Sequence, residues 1–304
     1  MSHGIFAGIT AGALWGLAFI APNFIGAASA GELVIARYAV YGLMAIAYLW
    51  LTGYDPFRRL GLADWVRAVL FGALGNSIYY FLTVMSVQAG DAATTALVIG
   101  TLPVLFAIVG NLRHPTTPWL HLLMAVAPIT LGVVLLAHQG AADAGPRSIM
   151  IGIVFALAAM TSWLIYGLGN SAYMASDHSL TPMLWAALIG IGTLLSLPLL
   201  AVALTLRHGS LFSLEIAAYT PLLFWGIILG GLASWLATWL WNIAGSSVPS
   251  VVLGYLLVSE TLFALLYSFL LDRRLPSAVE STSAALLIGG TLIGLYVSRR
   301  RSKL

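Results

Sequence analysis

Uncharged, mostly apolar stretches follow one another along almost the whole chain, and they constrain the fold more than any other feature of the sequence. A hydrocarbon core about 30 Å thick needs about 20 apolar residues as a helix, because every backbone amide must be satisfied inside the span. The sequence therefore predicts an all-α integral membrane protein with ten transmembrane helices. The expected spans lie near 4–27, 32–53, 64–88, 92–112, 119–138, 149–172, 181–206, 219–243, 249–271 and 281–298.

One uncharged stretch is too long for a single crossing. No acidic or basic residue occurs between Ile216 and Ser259, and Gly245-Ser246-Ser247-Val248-Pro249 interrupts it. Glycine, serine and proline together favour a turn. We therefore expect two helices here, joined by a tight connection.

The composition excludes several classes of function. Of the 304 residues, 61% are hydrophobic and 8% are charged, whereas about 25% are charged in a typical soluble domain. The chain has no cysteine, and its single lysine is Lys303, so thiolate metal sites and a Walker A phosphate loop are excluded. The histidines form no metal-binding pattern. We expect no cofactor, no metal and no nucleic-acid partner, and the oligomeric state stays open, with a monomer among the options.

The arginines and the lysine predict the orientation. Cytoplasmic loops of membrane proteins carry an excess of basic residues. With both termini in the cytoplasm, eight basic residues lie inside, four lie outside, and Arg37 lies within the second helix. We therefore expect a bacterial inner-membrane protein with cytoplasmic N- and C-termini. The inside set is Arg58, Arg59, Arg67, Arg113, Arg299, Arg300, Arg301 and Lys303, and the outside set is Arg147, Arg207, Arg273 and Arg274.

The two halves of the sequence resemble one another. The segment from Gly4 to Trp15 aligns with the segment from Gly152 to Trp163, and later matches follow in the same order. We predict two repeats, residues 1–148 with helices 1–5 and residues 149–304 with helices 6–10. Because five is odd, the second repeat would cross the membrane in the opposite sense, which is an arrangement found in transporters.

These features together resemble the EamA-type drug/metabolite transporter superfamily. The resemblance covers essentially the whole chain and rests on the glycine-rich first helix with Trp15, on Arg37 early in helix 2 and on Pro103 in helix 4. The segment Leu270–Leu275 is similar to the family's ending of helix 9, with Asp272 where the family usually has Glu. The density of Trp and Tyr is similar to that of bacterial aromatic amino-acid exporters of the YddG type. The resemblance implies a cavity lined mainly by helices 1, 3, 4, 6, 8 and 9.

Glu260 is the sharpest candidate for a functional residue. It lies near the middle of helix 9, where the resembling family often has proline. A charged side chain at the bilayer centre costs about 2.5–3.5 kcal/mol on the lenient insertion scale, so it must be paired, wetted or protonated. It is a candidate counter-charge for a substrate ammonium or a proton-binding site. The alternative is a structural carboxyl that bonds to a neighbouring hydroxyl such as Ser259 or Thr261.

Arg37 is the one cation expected inside a span. It lies about five residues inside helix 2, from where it can reach the headgroups. The resemblance favours a structural or gating role over substrate contact.

Polar and aromatic side chains share faces of several helices. A polar stripe has no reason to face lipid, and flat rings stack on apolar or aromatic ligands. The alternative is an aromatic belt at the membrane surface, which is the better explanation for Trp119 and other residues near the span ends. The cavity candidates are Trp15, Asn76, Tyr79, Tyr80, Trp163, Tyr166, Asn170, Ser259 and Glu260, and helix 8 adds Trp235, Trp239 and Trp241.

Glycine and proline indicate where helices could pack closely or bend. Gly4, Gly8, Gly12 and Gly16 recur every four residues, which makes a ridge suited to close helix packing and to a rocking motion. Pro103 is the expected hinge.

The hypothesis is a secondary active or facilitative transporter that exports small metabolites, with aromatic or apolar amino acids as the expected substrates, by alternating access around a midplane cavity. Export is implied by the resemblance alone. An organic-cation or multidrug effluxer of the same fold is the alternative, because aromatic walls and one carboxylate also suit a flat cation. An intramembrane enzyme is a third option, which the lack of a catalytic constellation disfavours.

Overall fold

The computed structural model describes residues 2–89, 95, 98–115, 117–138, 146–176 and 180–301, and within them all regular structure is helical. Three long helices precede residue 90: α1 (Ser2–Ile20), α2 (Ala30–Thr52) and α3 (62–89), with a short helix at Pro56–Arg59 between the last two. Next come α4 (Leu102–Arg113), α5 (Trp119–His138), α6 (Pro146–Ala175) and α7 (Pro182–His208). The last are α8 (220–247), α9 (Ser250–Asp272) and α10 (Ala278–Arg301).

Eight of the described helices are long and apolar enough to cross a membrane. Two further apolar helices, Leu102–Arg113 and Trp119–Leu135, are shorter than a full span. The predicted all-α membrane fold is therefore confirmed, whereas the count of ten crossings stays a prediction. The fourth predicted span, 92–112, lies partly outside the described residues, and within it a helical segment at 98–100 is followed by α4 from Leu102.

The predicted break in the long uncharged stretch is confirmed. α8 ends at Ser247 and α9 begins at Ser250. Val248 between them is extended, with φ −136° and ψ 152°, and Pro249 fixes the entry into α9 without an amide hydrogen to satisfy.

The start of α2 is fastened to the segment between α7 and α8. Ser29 and Glu32 form a reciprocal capping box, in which the Ser29 backbone N–H donates to the Glu32 carboxylate at 2.7 Å. The same carboxylate accepts the backbone N–H of Phe212 at 2.5 Å and the hydroxyl of Tyr219 at 3.2 Å. Glu32 is only 5% exposed, and these bonds give its buried carboxylate hydrogen-bond partners. Arg37 is not among them.

The glycine ridge of α1 packs directly on α9 and on the end of α8. A β-carbon at Gly12 would lie 2.9 Å from the backbone nitrogen of Glu260, and one at Gly16 would lie 3.0 Å from that of Ala264. Gly8 faces Leu256, and Gly4 faces the α8 end at Ser247. The missing side chains thus allow the α1 and α9 backbones to approach closely.

The remaining helices surround this pair. α2 packs on α7 and on α8, while α3 packs on α7 through its first half and on α6 through its second half. α4 packs on α9, and α5 pairs with α10 at the edge of the bundle. Glycines again set the approach of the outer pair, because a β-carbon at Gly290 would lie 2.5 Å from the carbonyl oxygen of Ala125.

Two helices contain a wide, π-helical turn. In α3 it spans Ala73–Ser77, between α-helical Leu62–Gly72 and Ile78–Ala89. In α8 it spans Leu229–Leu236, between Thr220–Ile228 and Ala237–Ser247. Such turns inside α-helices occur frequently at functional sites, and here each lies in the middle of a helix that contributes to the interior.

Replacing Gly12 by alanine should destabilise the protein. The new methyl group would meet the α9 backbone, which cannot rotate away as a side chain can, and inserting a methyl into a packed interface costs typically 1–3 kcal/mol. The thermal unfolding midpoint of the purified protein in detergent should fall. Gly289→Ala is the matched control, because a β-carbon there meets nothing within 4 Å. An equal midpoint for the two variants would contradict this packing.

Candidate functional site

Arg37 is held inside the bundle by the π-helical turn of α8. Its Nε donates to the Ser234 hydroxyl at 2.8 Å, and its Nη2 donates to the Ala233 carbonyl at 2.9 Å. A carbonyl oxygen has two lone pairs, so a helical carbonyl can accept this additional bond. The guanidinium also lies over the ring of Tyr38, 5.2 Å from its centroid. Arg37 therefore joins α2 to α8, and the structural or gating role that the resemblance implied stays a prediction.

Glu260 lies eleven residues into α9 and is half-buried. It interacts electrostatically with Arg37 and with Tyr79 of α3, so its carboxyl faces the interior of the bundle. Within the described part of the chain, no hydrogen bond or ion pair engages this carboxyl. The alternative of a carboxyl bonded to Ser259 gains no support, because the Ser259 hydroxyl donates to the Leu256 carbonyl at 2.6 Å.

Two phenols of α3 border the same space. Tyr79 and Tyr80 are each half-buried, and each interacts electrostatically with Arg37. Tyr79 also interacts with Glu260. α3 thus brings Tyr79 near both charged side chains and Tyr80 near that of α2.

Four rings from four helices form one aromatic cluster: Trp15 of α1, Phe106 of α4, Trp163 of α6 and Trp241 of α8. The centroid of Trp241 lies 5.3 Å from that of Trp15, 6.0 Å from that of Trp163 and 6.3 Å from that of Phe106. Tilted and edge-on ring pairs at these separations are the favoured geometry. Tyr166 extends the cluster along α6, with its centroid 5.7 Å from that of Trp163.

Trp241 lies at the centre of this cluster and is fully buried. Its indole N–H has no hydrogen-bond partner in the described residues. Leaving such a donor unpaired costs about 1–3 kcal/mol. Trp241 thus places a buried, unpaired N–H donor in the cluster, and a ligand group with a lone pair could accept a hydrogen bond from it.

Two sequence candidates are engaged in helix–helix hydrogen bonds, and a third lies in a helix–helix packing contact. Asn76, in the π-helical turn of α3, donates to Thr193 of α7 at 2.9 Å. Asn170 donates to Asn242 of α8 at 2.9 Å and accepts the indole N–H of Trp185 at 2.8 Å. Ser259 faces Gly12 across the α1–α9 contact. These contacts give all three a packing role in this conformation.

Pro103 lies in the first turn of the described helix α4 and not in the middle of a helix. The preceding residues 98–100 are helical, and Thr101 forms a turn before Leu102. Proline is well accommodated in a first helical turn because its missing N–H would have no intrahelical acceptor there. The carbonyl of Pro103 faces Gly254 of α9, so the interruption occurs where α4 and α9 touch.

The sequence analysis missed Phe106 and Tyr38 as neighbours of the site. Phe106 is a single apolar ring in an apolar helix, and nothing in its local pattern separates it from a lipid-facing residue. Tyr38 follows Arg37, but residues adjacent in a helix do not normally share a face. Trp235, in contrast, packs against Tyr48 of α2 at 5.4 Å, away from the aromatic cluster.

The assembled groups can bind a molecule that is both charged and apolar. A carboxyl, a guanidinium and two phenols offer acceptors and donors to polar groups, while the indole faces offer stacking surfaces. No group of three or more His, Asp or Glu side chains that could hold a metal ion occurs among the described residues.

Comparison with known proteins supplies the family. Residues 2–137 match the model of the EamA-like transporter family. The inner membrane protein YtfF of Escherichia coli strain K12 is 32% identical over 308 aligned residues, which cover 97% of this chain and 95% of that protein. A solved crystal structure of another protein has the same fold, with a TM-score of 0.78 over 99% of both chains and 20% sequence identity.

The matching family model, the relative aligned over nearly its full length and the helical bundle with its interior charges agree with one another. The chain belongs to the EamA-like transporter family of the drug/metabolite transporter superfamily and is a membrane transporter.

Proposed function

We propose that this transporter exports small zwitterionic metabolites, with aromatic or apolar amino acids as its main substrates. The observation that carries the proposal is the carboxyl of Glu260, which no partner in the described residues engages and which shares the interior with Arg37 and Tyr79. A substrate ammonium would bind this carboxyl, and the aromatic cluster would receive the substrate side chain.

The substrate carboxylate has two candidate partners. Arg37 already uses Nε and Nη2 in bonds to α8, which leaves only part of its guanidinium for a ligand. The unpaired indole N–H of Trp241 offers a second donor. Hydrogen bonds to a charged group contribute about 1.5–3 kcal/mol, so either donor would discriminate a zwitterion from a simple cation.

We also propose that the two halves, 1–148 and 149–304, are inverted repeats that move against each other. The helix packing supports this: α1 packs on α8 and α9, as α6 packs on α3 and α4, and α2–α7, α4–α9 and α5–α10 are mutual pairs. The π-helical turns also match, because α3 and α8 are each the third helix of their proposed repeat. If the two repeats rock against each other between two packing arrangements, a site near the middle of the membrane opens first to one side and then to the other.

Replacing Glu260 by glutamine should slow amino-acid transport by at least about tenfold, because hydrogen bonds to a charged group contribute about 1.5–3 kcal/mol. The measurement is uptake of radiolabelled phenylalanine, leucine and lysine into liposomes containing the purified protein, with and without a pH gradient. If a pH gradient drives the parent and not the variant, Glu260 carries the coupled proton as well.

Glu215→Gln is the matched control, since Glu215 is an exposed carboxylate before α8. Parental transport of every amino acid by Glu260→Gln would contradict the site. Selective loss of a quaternary ammonium substrate, with amino-acid transport retained, would favour the organic-cation effluxer. That alternative draws support from the prior engagement of Arg37 by α8.

We propose an inner-membrane location with both termini in the cytoplasm, as the distribution of basic residues predicts and as the inner-membrane relative supports. The chain has no cysteine, so single-cysteine variants carry no background. Ser213→Cys, between α7 and α8, should react with an impermeant maleimide on spheroplasts, whereas Ser2→Cys should react only after permeabilisation. The opposite labelling pattern would invert the topology.

A further inference from the structure

A groove lies between the beginning of α3 and the end of α6, apart from the aromatic cluster. Its cavity has a volume of about 550 Å³. Arginines 58, 59 and 67 lie at this end of the bundle, which is the end that the basic residues predict to be cytoplasmic. The groove is lined by Asp64, Arg67, Phe71, Gly169, Ala172, Tyr173 and Ser176.

Opposite charges and a ring meet in this groove. Arg67 Nη1 lies 3.1 Å from Asp64 Oδ1, and the two side chains are 48% and 27% exposed. The Arg67 guanidinium also lies 5.5 Å from the ring centroid of Tyr173, whose hydroxyl donates to Asp64 Oδ1 at 3.4 Å. Both charges are thus oriented by a common neighbour and are still reachable from water.

The inner wall of the groove is one phenylalanine ring. Phe71 packs edge-on against Tyr166 and Trp185, with centroids 6.0 Å and 6.1 Å away. Its ring lies over Gly169, where a β-carbon would be 3.0 Å from the ring. Because Tyr166 in turn touches Trp163, Phe71 connects the lining of the groove to the aromatic cluster through one intervening ring.

We propose that this groove is a loading site, in which a zwitterionic amino acid binds before it reaches the proposed site at Glu260. Asp64 receives the ammonium, Arg67 receives the carboxylate, and the rings of Phe71 and Tyr173 receive the apolar side chain. The assignment rests on the proposed amino-acid export and adds a second binding position to it.

The competing explanation is an ordinary surface ion pair. Such pairs contribute little to stability, and the chain supplies a direct comparison near the same end of the bundle. Arg58 Nε lies 3.2 Å from Asp55 Oδ2 with the same i, i+3 spacing, but neither residue lines the groove. The two pairs are alike in chemistry, but the Arg58–Asp55 pair is more exposed, at 87% and 45%, and does not line the cavity.

The test measures binding of amino acids to the groove directly. Ser176→Cys is labelled with an environment-sensitive fluorophore in the otherwise cysteine-free chain and placed in phosphatidylglycerol nanodiscs. L-phenylalanine should give a saturable signal, and Asp64→Asn and Arg67→Gln should each raise the half-saturating concentration by about fivefold, the upper end for exposed ion pairs. Asp55→Asn and Arg58→Gln should leave it unchanged.

Blocked analogues make the assignment of charges specific. Binding of phenylalaninamide, which lacks the carboxylate, should be insensitive to Arg67→Gln, and binding of N-acetylphenylalanine, which lacks the ammonium, should be insensitive to Asp64→Asn. The same half-saturating concentrations in all variants would overturn the proposal. So would a signal that responds to phosphatidylethanolamine in the disc and not to phenylalanine, which would assign the groove to a lipid headgroup.

Transport assays distinguish failure of this proposal from failure of the proposed function. Parental phenylalanine transport by an Asp64→Asn, Arg67→Gln double variant that no longer binds at the groove would reject the loading role and leave the export function standing. Binding at the groove by a protein that moves no amino acid would reject export and retain a binding site. We expect the double variant to lose both groove binding and transport at low phenylalanine concentration. Its transport should recover at high phenylalanine concentration.

Discussion

A charged side chain inside a membrane-spanning bundle is costly unless the protein supplies a partner for it. The bonds between Arg37 and the π-helical turn of α8 are the clearest case in this structure. Ser234 and Ala233 supply acceptors to the guanidinium, so the cation is retained as part of the α2–α8 contact. Glu260 receives no such bonds from the described residues. The two interior charges therefore differ: the guanidinium of Arg37 is bonded to a neighbouring helix, and the carboxyl of Glu260 has no hydrogen-bond partner among the described residues.

Close backbone approach is the second requirement for a site of this kind. Glycines on α1 bring it against α9 at Gly12 and Gly16, and this contact fixes the position of Glu260 relative to the rings of α1. The aromatic cluster joins α1, α4, α6 and α8 through ring contacts. Each ring pair contributes about 0.5–1.5 kcal/mol in addition to the area that it buries, so the cluster helps to hold these four helices together.

Membership of the EamA-like transporter family assigns the fold and the general activity, and the interior side chains must account for the substrate. Several of these were identifiable from the sequence, because a charge or a polar stripe inside an apolar span has few explanations. Glu260, Arg37 and Tyr79 belong to this group. Asn76 and Asn170 satisfied the same criterion, yet their side chains make hydrogen bonds between helices. A polar side chain that faces a neighbouring helix has the same sequence pattern as one that faces a cavity.

The sequence by itself determined that the chain crosses a membrane as helices, where the long uncharged stretch breaks, and which helix carries an interior carboxyl, because hydrophobic length and the cost of burying charge are properties of local composition. Only the tertiary structure decided which rings meet, that Phe106 and Trp241 join Trp15 and Trp163, and that α3 and α6 enclose a groove at Asp64 and Arg67. An apolar ring has the same local signal whether it faces lipid or another helix. Its neighbours depend on crossing angles and π-helical turns that form only when the helices pack.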